Sequence, residues 1–502
     1  MRSSTRLVGG IAVASLALAG FGAAGAVAAP GNPGQPKYTA GDEGGGDPYF
    51  PYSGNGGYDV LHYDLDLTYT PPAASPAPIE GDLDAVATID LVPTQDLDRF
   101  NLDLRGLDVT AVTVNGKPAT SSAPPAAGDE VDGAAFWQVQ DDTARVWELT
   151  IQPRPKLKAG SEVEVVVEYG GTTTRPRDIE GFLYGWVTTR DGAMVVSEPE
   201  GSMTWYPQND QPTDKATYSF EITVPEGKVA VANGTQPKPE ETANGWTTWF
   251  WDAPDAQASY LTTASVGDYD LRDAYTSSSG VPIIDAVDAD LMSGNLATTN
   301  ASLALQPAMI DFFESVFGDY PFVAYGSIVE DDSVGYALET QTRPVYSRVA
   351  RESTVAHELA HQWFGNAVSP ELWQYIWLNE GWASYAEWLW AEEQGGETAQ
   401  DAFEGVMSIP DTSSFWDVVI GDPGPTGLFA GPVYDRGAAT LHALRLEVGD
   451  DDFFAAAQLW LERYDDGTAT SDDFQAVYEE VSGLDLDAFF ETWLYTPEKP
   501  VI

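Results

Sequence analysis

His357-Glu358-Leu359-Ala360-His361 restricts this chain more than any other stretch. Residues four apart share one face of a helix. If the stretch is helical, His357 and His361 reach one metal ion together. Glu358, offset by one position, reaches a water beside that ion rather than the ion itself, which is where a general base belongs. Two imidazoles need a third ligand, and a catalytic zinc keeps one further position open. Glu380, in Leu378-Asn379-Glu380-Gly381-Trp382, heads a second apolar-periodic segment, and a helix packed antiparallel to the first would return it to the ion. The chain holds only 4 His in 502 residues, so a chance motif of this kind has a probability of roughly a few in a thousand.

Length and composition bound what surrounds that motif. A chain of 502 residues, 43% hydrophobic and 12% aromatic, has material for two or more packed cores. Residues 1–28 read as a cleaved export signal: Arg2 and Arg6, an apolar run from Leu7 to Gly22, then Ala26-Val27-Ala28 as a small-residue cleavage site. No later stretch is long and apolar enough to span a membrane, so the mature chain is expected to be secreted, as an exported bacterial protein. There is no Cys, which removes disulfides, thiolate catalysis and Cys-ligated zinc. With 78 Asp+Glu against 24 Lys+Arg, the formal charge of −54 excludes nucleic acid as a partner, since a phosphate backbone needs cationic contacts. The same charge suits a heavily hydrated surface outside the cell.

Along the chain, residues 29–50 are a Pro/Gly-rich linker. From Tyr58 the pattern alternates with period 2: Val60, His62, Asp64, Asp66 and Thr68 against Leu61, Tyr63, Leu65, Leu67 and Tyr69. Similar strands are expected over 85–91, 109–114, 146–151, 163–169, 218–224 and 246–251, separated by turns such as Asn115-Gly116 and Asn244-Gly245. These imply one antiparallel β domain over 51–268. His62 lies among the strands and reads as a packing or surface residue. Helical patterns dominate from 269 to 502: Leu296–Phe317, then a strand at Tyr325–Glu330, an extended run over 335–346, and the two metal-site segments. Ser369-Pro370 reads as the start of a short helix, with Ser as N-cap and Pro first. Six Trp between 363 and 390 read as core. Further helices are expected over Tyr434–Val448, Phe453–Tyr464, from a Thr470-Ser471-Asp472-Asp473 cap to Gly483, and over Leu486–Leu494.

The stretches His357-Glu358-Leu359-Ala360-His361-Gln362-Trp363-Phe364-Gly365-Asn366 and Trp377-Leu378-Asn379-Glu380-Gly381 resemble the zinc aminopeptidases related to aminopeptidase N and leukotriene hydrolase, gluzincin metallopeptidases. The resemblance runs from about Tyr58 to the C-terminus. It implies a multidomain α+β chain, with the antiparallel β domain followed by a mostly helical, thermolysin-like zinc peptidase domain. It also implies one Zn2+ per chain on His357, His361 and Glu380, with Glu358 as base. Tyr336-Ala337-Leu338-Glu339-Thr340 matches the family's exopeptidase stretch, usually Gly-Ala-Met-Glu-Asn. Glu339 would bind the substrate's α-ammonium, and the backbone at Ala337 would pair with the peptide as an added strand. Glu198, nine residues before Pro207-Gln208-Asn209-Asp210, matches a second amine-binding acid, with Glu200 close by. Tyr434, in Val433-Tyr434-Asp435-Arg436, matches the catalytic Tyr that donates to an oxyanion, with Arg436 where Lys is usual. His442, on the same expected helix, reads as structural.

Many relatives continue for several hundred residues beyond the catalytic domain, so a chain ending at Ile502 is expected to have a more open cleft. The implied activity is hydrolysis of the N-terminal peptide bond of peptides with a free N-terminus, by a monomer. A zinc endopeptidase and a non-catalytic peptide-binding protein on the same scaffold are the alternatives.

Overall fold

Alternating burial dominates the first half of the chain. The computed structural model describes residues 37–73, 77–126 and 131–501. The export signal over 1–28 and the linker up to residue 36 lie outside them. Twelve strands form one sheet, in the order 39–40, 97–103, 146–152, 135–141, 117–121, 108–114, 163–173, 81–93, 58–70, 216–225, 246–257 and 241–243. Most neighbours are antiparallel, but 58–70 pairs parallel with 216–225, as do 39–40 with 97–103 and 117–121 with 135–141. A purely antiparallel sheet was the expectation; the chain instead returns to the Tyr58 strand from a distant segment.

The alternation also changes phase. A register shift lies between Val60 and His62, so Val60 is buried at 1% exposure while Leu61 is 47% exposed. The simple pattern places Leu61 with Tyr63 and Leu65; a bulge adds one residue and turns the side chains before it to the opposite face.

A second sheet, of 185–188, 193–196, 264–267 and 229–232, is buried along its length. A third is built on Pro282–Asp288, Tyr325–Glu330 and Val345–Ser347, with short strands at 269–271 and 275–276. The helices follow: α1 (Ser293–Leu303), α2 (Gln306–Phe317), α3 (Glu352–Ala360), α4 (Trp377–Glu393), α5 (Ala399–Met407), α6 (Gly431–Val448), α7 (Asp450–Tyr464), α8 (Ser471–Ser482) and α9 (Asp487–Phe490). The chain is thus a large β-sheet domain followed by a mostly helical one. Tyr38–Ile502 form one compact unit. No helix among the described residues is long and apolar enough to cross a membrane.

Three local expectations are corrected. The helix expected over Leu296–Phe317 is two, because Pro307 stands in the first turn of α2 and cannot occupy a helix interior. Ser369-Pro370 is not a helix start. It pairs with Thr468–Ala469 as a short parallel bridge, and the Ser369 hydroxyl donates backwards to the Gly365 carbonyl at 2.6 Å, so it caps nothing. The run 335–346 is extended only at its end. Arg343 N–H donates to the Thr340 carbonyl at 2.9 Å, Thr342 has φ +62°, and Leu338 bridges Val345, so the chain doubles back. The helical stretch expected over Leu486–Leu494 is present, as an α turn over Asp487–Phe490 that widens into a π turn over Glu491–Tyr495, where Arg436 takes the Thr492 and Trp493 carbonyls. The expected cap of α8 is present, with Thr470 and Asp473 bonded reciprocally and Gly483 left-handed after its end.

Candidate active site

Two helices bring the metal motif together. α3 holds His357 and Glu358, and His361 follows as its C-cap, still in helical geometry, with its N–H on the His357 carbonyl at 3.2 Å. α4 brings Glu380 in its first turn. All four side chains are buried, or nearly so for His357 at 9% exposure. Glu380 Oε2 lies 3.2 Å from His357 Nε2 and 3.5 Å from His361 Nε2.

The donor chemistry identifies what these three groups can hold. His361 Nδ1 sits 3.0 Å from the Phe364 carbonyl, which can only accept, so Nδ1 carries the proton. His357 Nδ1 lies 2.8 Å from Glu387 Oε1 and donates in the same way. Each neutral imidazole therefore turns an Nε2 lone pair toward the Glu380 carboxylate, and three acceptors converge within 4.8 Å. A cation resolves that convergence. Two imidazoles and one carboxylate are a zinc donor set, with second hydrogen bonds fixing the rings.

The other expected residues surround the same cleft, of about 500 Å³, lined among others by Glu198, Ala337, Glu339, Glu358 and Tyr434. Burial pushes the Glu358 carboxyl up to about 8. Glu339 is 2% exposed and Glu198 7%, and each has a buried Oε1 with no protein partner. Burial raises both carboxyls, and proximity to Glu380 and other acids of the cleft raises them further. Glu200 does not face the cleft; it is ion-paired with Arg145. Tyr434 lies in the first turn of α6, its ring 6.0 Å from that of His357. Burial and the neighbouring carboxylates push its phenol well above the usual range, so it stays protonated and able to donate.

Residues outside these roles hold the parts in place. Gln362 Nε2 and Asn366 Nδ2, both within the extended motif, donate to the Glu339 carbonyl at 3.2 and 2.8 Å. They tie the exopeptidase stretch to the metal helix. α4 and α6 touch through Gly381 and Gly437: a Cβ on Gly437 would lie 2.8 Å from the Gly381 Cα. This close approach sets Tyr434 across from Glu380. Arg436 is fully buried and donates only to carbonyls, of Trp416, Val418, Thr492, Trp493 and Thr496. His62 lies on a strand, its Nδ1 2.7 Å from the Thr217 hydroxyl, and His442 contacts Tyr385 and Gln400; neither lines the cleft. Five of the six Trp between 363 and 390 are buried, and Trp388 is partly so.

Sequence reasoning passed over Glu387 and Asp178, which also line the cleft. The signal for Glu387 was present: it stands seven residues after Glu380, two turns along the same face of α4. Asp178 lies on a turn remote in sequence from every motif and carried none.

Residues 327–493 match the Peptidase family M1 domain, and residues 60–261 match the Peptidase M1 N-terminal domain. Human glutamyl aminopeptidase is 29% identical over 330 residues, covering 61% of this chain and 34% of the relative. Aminopeptidase N of Streptomyces lividans is 27% identical over 396 residues, covering 71% of this chain and 44% of the relative. The chain thus spans less than half the length of these curated relatives. An M1 zinc metallopeptidase from Deinococcus radiodurans superposes with a TM-score of 0.77 at 27% identity, over 91% of this chain and 98% of that one. A variant of that protein was solved with a Tyr-Ser-Ala substrate, and a variant of a two-domain M1 zinc metallopeptidase with L-arginine.

Proposed function

The chain belongs to peptidase family M1, and from that premise and the geometry of the cleft we propose that it is a secreted zinc-dependent aminopeptidase acting on peptides with a free N-terminus. The observation that carries the direction of cleavage is the pair of buried carboxylates Glu198 and Glu339. Both line the same cleft as the metal cluster, and each offers an oxygen that no protein group satisfies. A substrate α-ammonium supplies the missing donors and charge. The Deinococcus protein's structure with a tripeptide substrate and a two-domain M1 zinc metallopeptidase structure with a free amino acid support the same reading.

In this proposal His357, His361 and Glu380 hold one zinc ion per chain, which when bound polarises the scissile carbonyl and acidifies water. Glu358 takes a proton from the attacking water and delivers it to the leaving amine. The Tyr434 phenol donates to the oxygen on which negative charge develops. Glu198 and Glu339 hold the N-terminus, so the bond after the first residue is presented for attack. The backbone at Ala337 lies beside Glu339 in the cleft wall, where it can pair with the bound peptide. The domain division we propose is 51–268 for the β part and 269–502 for the catalytic part, preceded by the 1–28 export signal and the 29–50 linker. We do not extend to this chain the acidic preference that the human relative's name carries, because no Lys or Arg lines the cleft.

The test compares a peptide with its N-acetylated form. Cleavage of the free peptide alone supports the reading, whereas equal cleavage of both identifies an endopeptidase. Glu358→Gln is expected to retain zinc and to lose roughly a hundred- to ten-thousandfold in kcat; a variant as fast as the parent overturns the assigned base.

A further inference from the structure

The cleft is one-sided in charge. Asp178, Glu198, Glu339, Glu358, Glu380 and Glu387 line it, with no Lys or Arg. Five of these carboxylates already have tasks: metal, water, His357 and the amine. Asp178 has none. It opens the turn 178–182, where its Oδ1 accepts from the N–H groups of Glu180 at 2.9 Å and Phe182 at 2.8 Å. Its Oδ2 has no protein partner among the described residues. Phe182, at the end of that turn, is 52% exposed although aromatic, and it lines the cleft with Tyr336 and Phe429. The Tyr336 phenol donates to the Leu183 carbonyl at 2.7 Å, which ties this turn to the stretch bearing Ala337 and Glu339. The wall with the free carboxylate therefore adjoins the groups assigned to the substrate's amine.

We propose that this wall receives the side chain of the substrate's N-terminal residue and selects a long cationic one, Arg or Lys. The inference rests on the aminopeptidase reading. The methylene stem of such a side chain covers the aromatic wall, its charge lies over a ring face, and Asp178 Oδ2 accepts from its end. An N-terminal Glu or Asp would enter the same wall with no cation to meet it, and would lose its hydration among like charges.

The experiment uses the zinc-loaded full chain and aminoacyl anilides of Arg, Lys, Leu, Glu and Asp. Arg and Lys are expected to exceed Leu, and Glu and Asp to fall below Arg by about tenfold or more in kcat/KM. Asp178→Asn keeps the Oδ1 acceptor that holds the turn and removes the charge. In this variant the Arg-to-Leu ratio of kcat/KM is expected to fall about tenfold. Equal loss on Arg and Leu would show that Asp178 only shapes the turn and would overturn the proposal. So would hydrolysis of the Glu anilide as fast as the Arg anilide, while the aminopeptidase reading stood. Failure of that reading shows differently, as indifference to N-acetylation of the substrate.

Discussion

His361 keeps its Nδ1–H on a backbone carbonyl, whereas His357 keeps its own on the carboxylate of Glu387. The two rings are thus held by partners of different strength. A carboxylate acceptor both orients an imidazole and raises its basicity as a ligand. Glu387→Ala is therefore expected to weaken zinc binding about ten- to a hundredfold, measured by competition with a chelator, with Glu387→Gln between it and the parent. An unchanged constant for the Ala variant would show that packing alone holds His357. A buried acid outside the cleft lining is Glu148. Glu148 pairs in register with Asp103 on adjacent strands, and both of its oxygens are buried without a partner. Burial, then the nearby Asp103, pushes its carboxyl up to about 10. The folded state therefore binds this proton more tightly than the unfolded state, so its contribution is full at acid pH and is lost as pH rises. The loss falls between the unfolded value and about 10. Glu148→Gln should flatten the fall of Tm with pH between neutral and alkaline conditions. An unaltered slope would show that Glu148 is ionised in the folded protein.

At the scale of elements, the contact between α4 and α6 decides whether the site assembles. Glu380 and Tyr434 reach one cleft from two helices that meet at Gly381 and Gly437. With a Cβ on Gly437 only 2.8 Å from a backbone atom, the helices must separate. Gly437→Ala is expected to cost about 1–3 kcal/mol of stability, and to lower kcat by a larger factor than that loss alone would suggest, since it moves Tyr434 away from the metal ligands. A variant less stable but equally active would show that Tyr434 need not keep its distance from Glu380. Two further devices hold the same region. Gln362 and Asn366 anchor the Glu339 carbonyl, and Arg436 gathers five carbonyls from the chain around the base of α6. The planar guanidinium meets several acceptors at once, which an ammonium on a Lys stem cannot reproduce.

For the whole molecule, 78 acids against 24 Lys and Arg make the folded state repel itself. The short ion pairs, such as Arg175 with Asp332 and Lys228 with Asp268, are too few to offset that field. Salt screens charges beyond about 10 Å at 0.1 M, so Tm should rise as sodium chloride is added at constant pH. A Tm that fell with salt would show that local pairs outweigh the net repulsion. The same imbalance extends to the cleft lining, whose acids disfavour an acidic side chain there.

The metal helix was legible because its chemistry is local. The i, i+4 spacing of His357 and His361 follows from helix geometry alone, and Glu380 was marked by an apolar period and a family pattern. Strand existence was legible for the same reason, since burial on one face imposes period 2. The bulge at Val60–His62 was not, because a bulge answers to the neighbouring strand and not to its own residues. Nor was the break in the run 335–346, where buried Arg343 turns the chain toward the Ile284, Tyr325 and Gly234 carbonyls. Glu198 and Glu200 could be separated in sequence only by counting to Pro207; in the fold one faces the cleft and the other is bound to Arg145. Asp178 had no local mark at all. The sequence by itself determined that His357 and His361 stand one helical turn apart with Glu358 beside them, and that β parts precede helical ones, because each follows from spacing within an element. Only the tertiary structure decided which acids share a cleft with the metal site, because that depends on how turns and helices distant in sequence pack against one another.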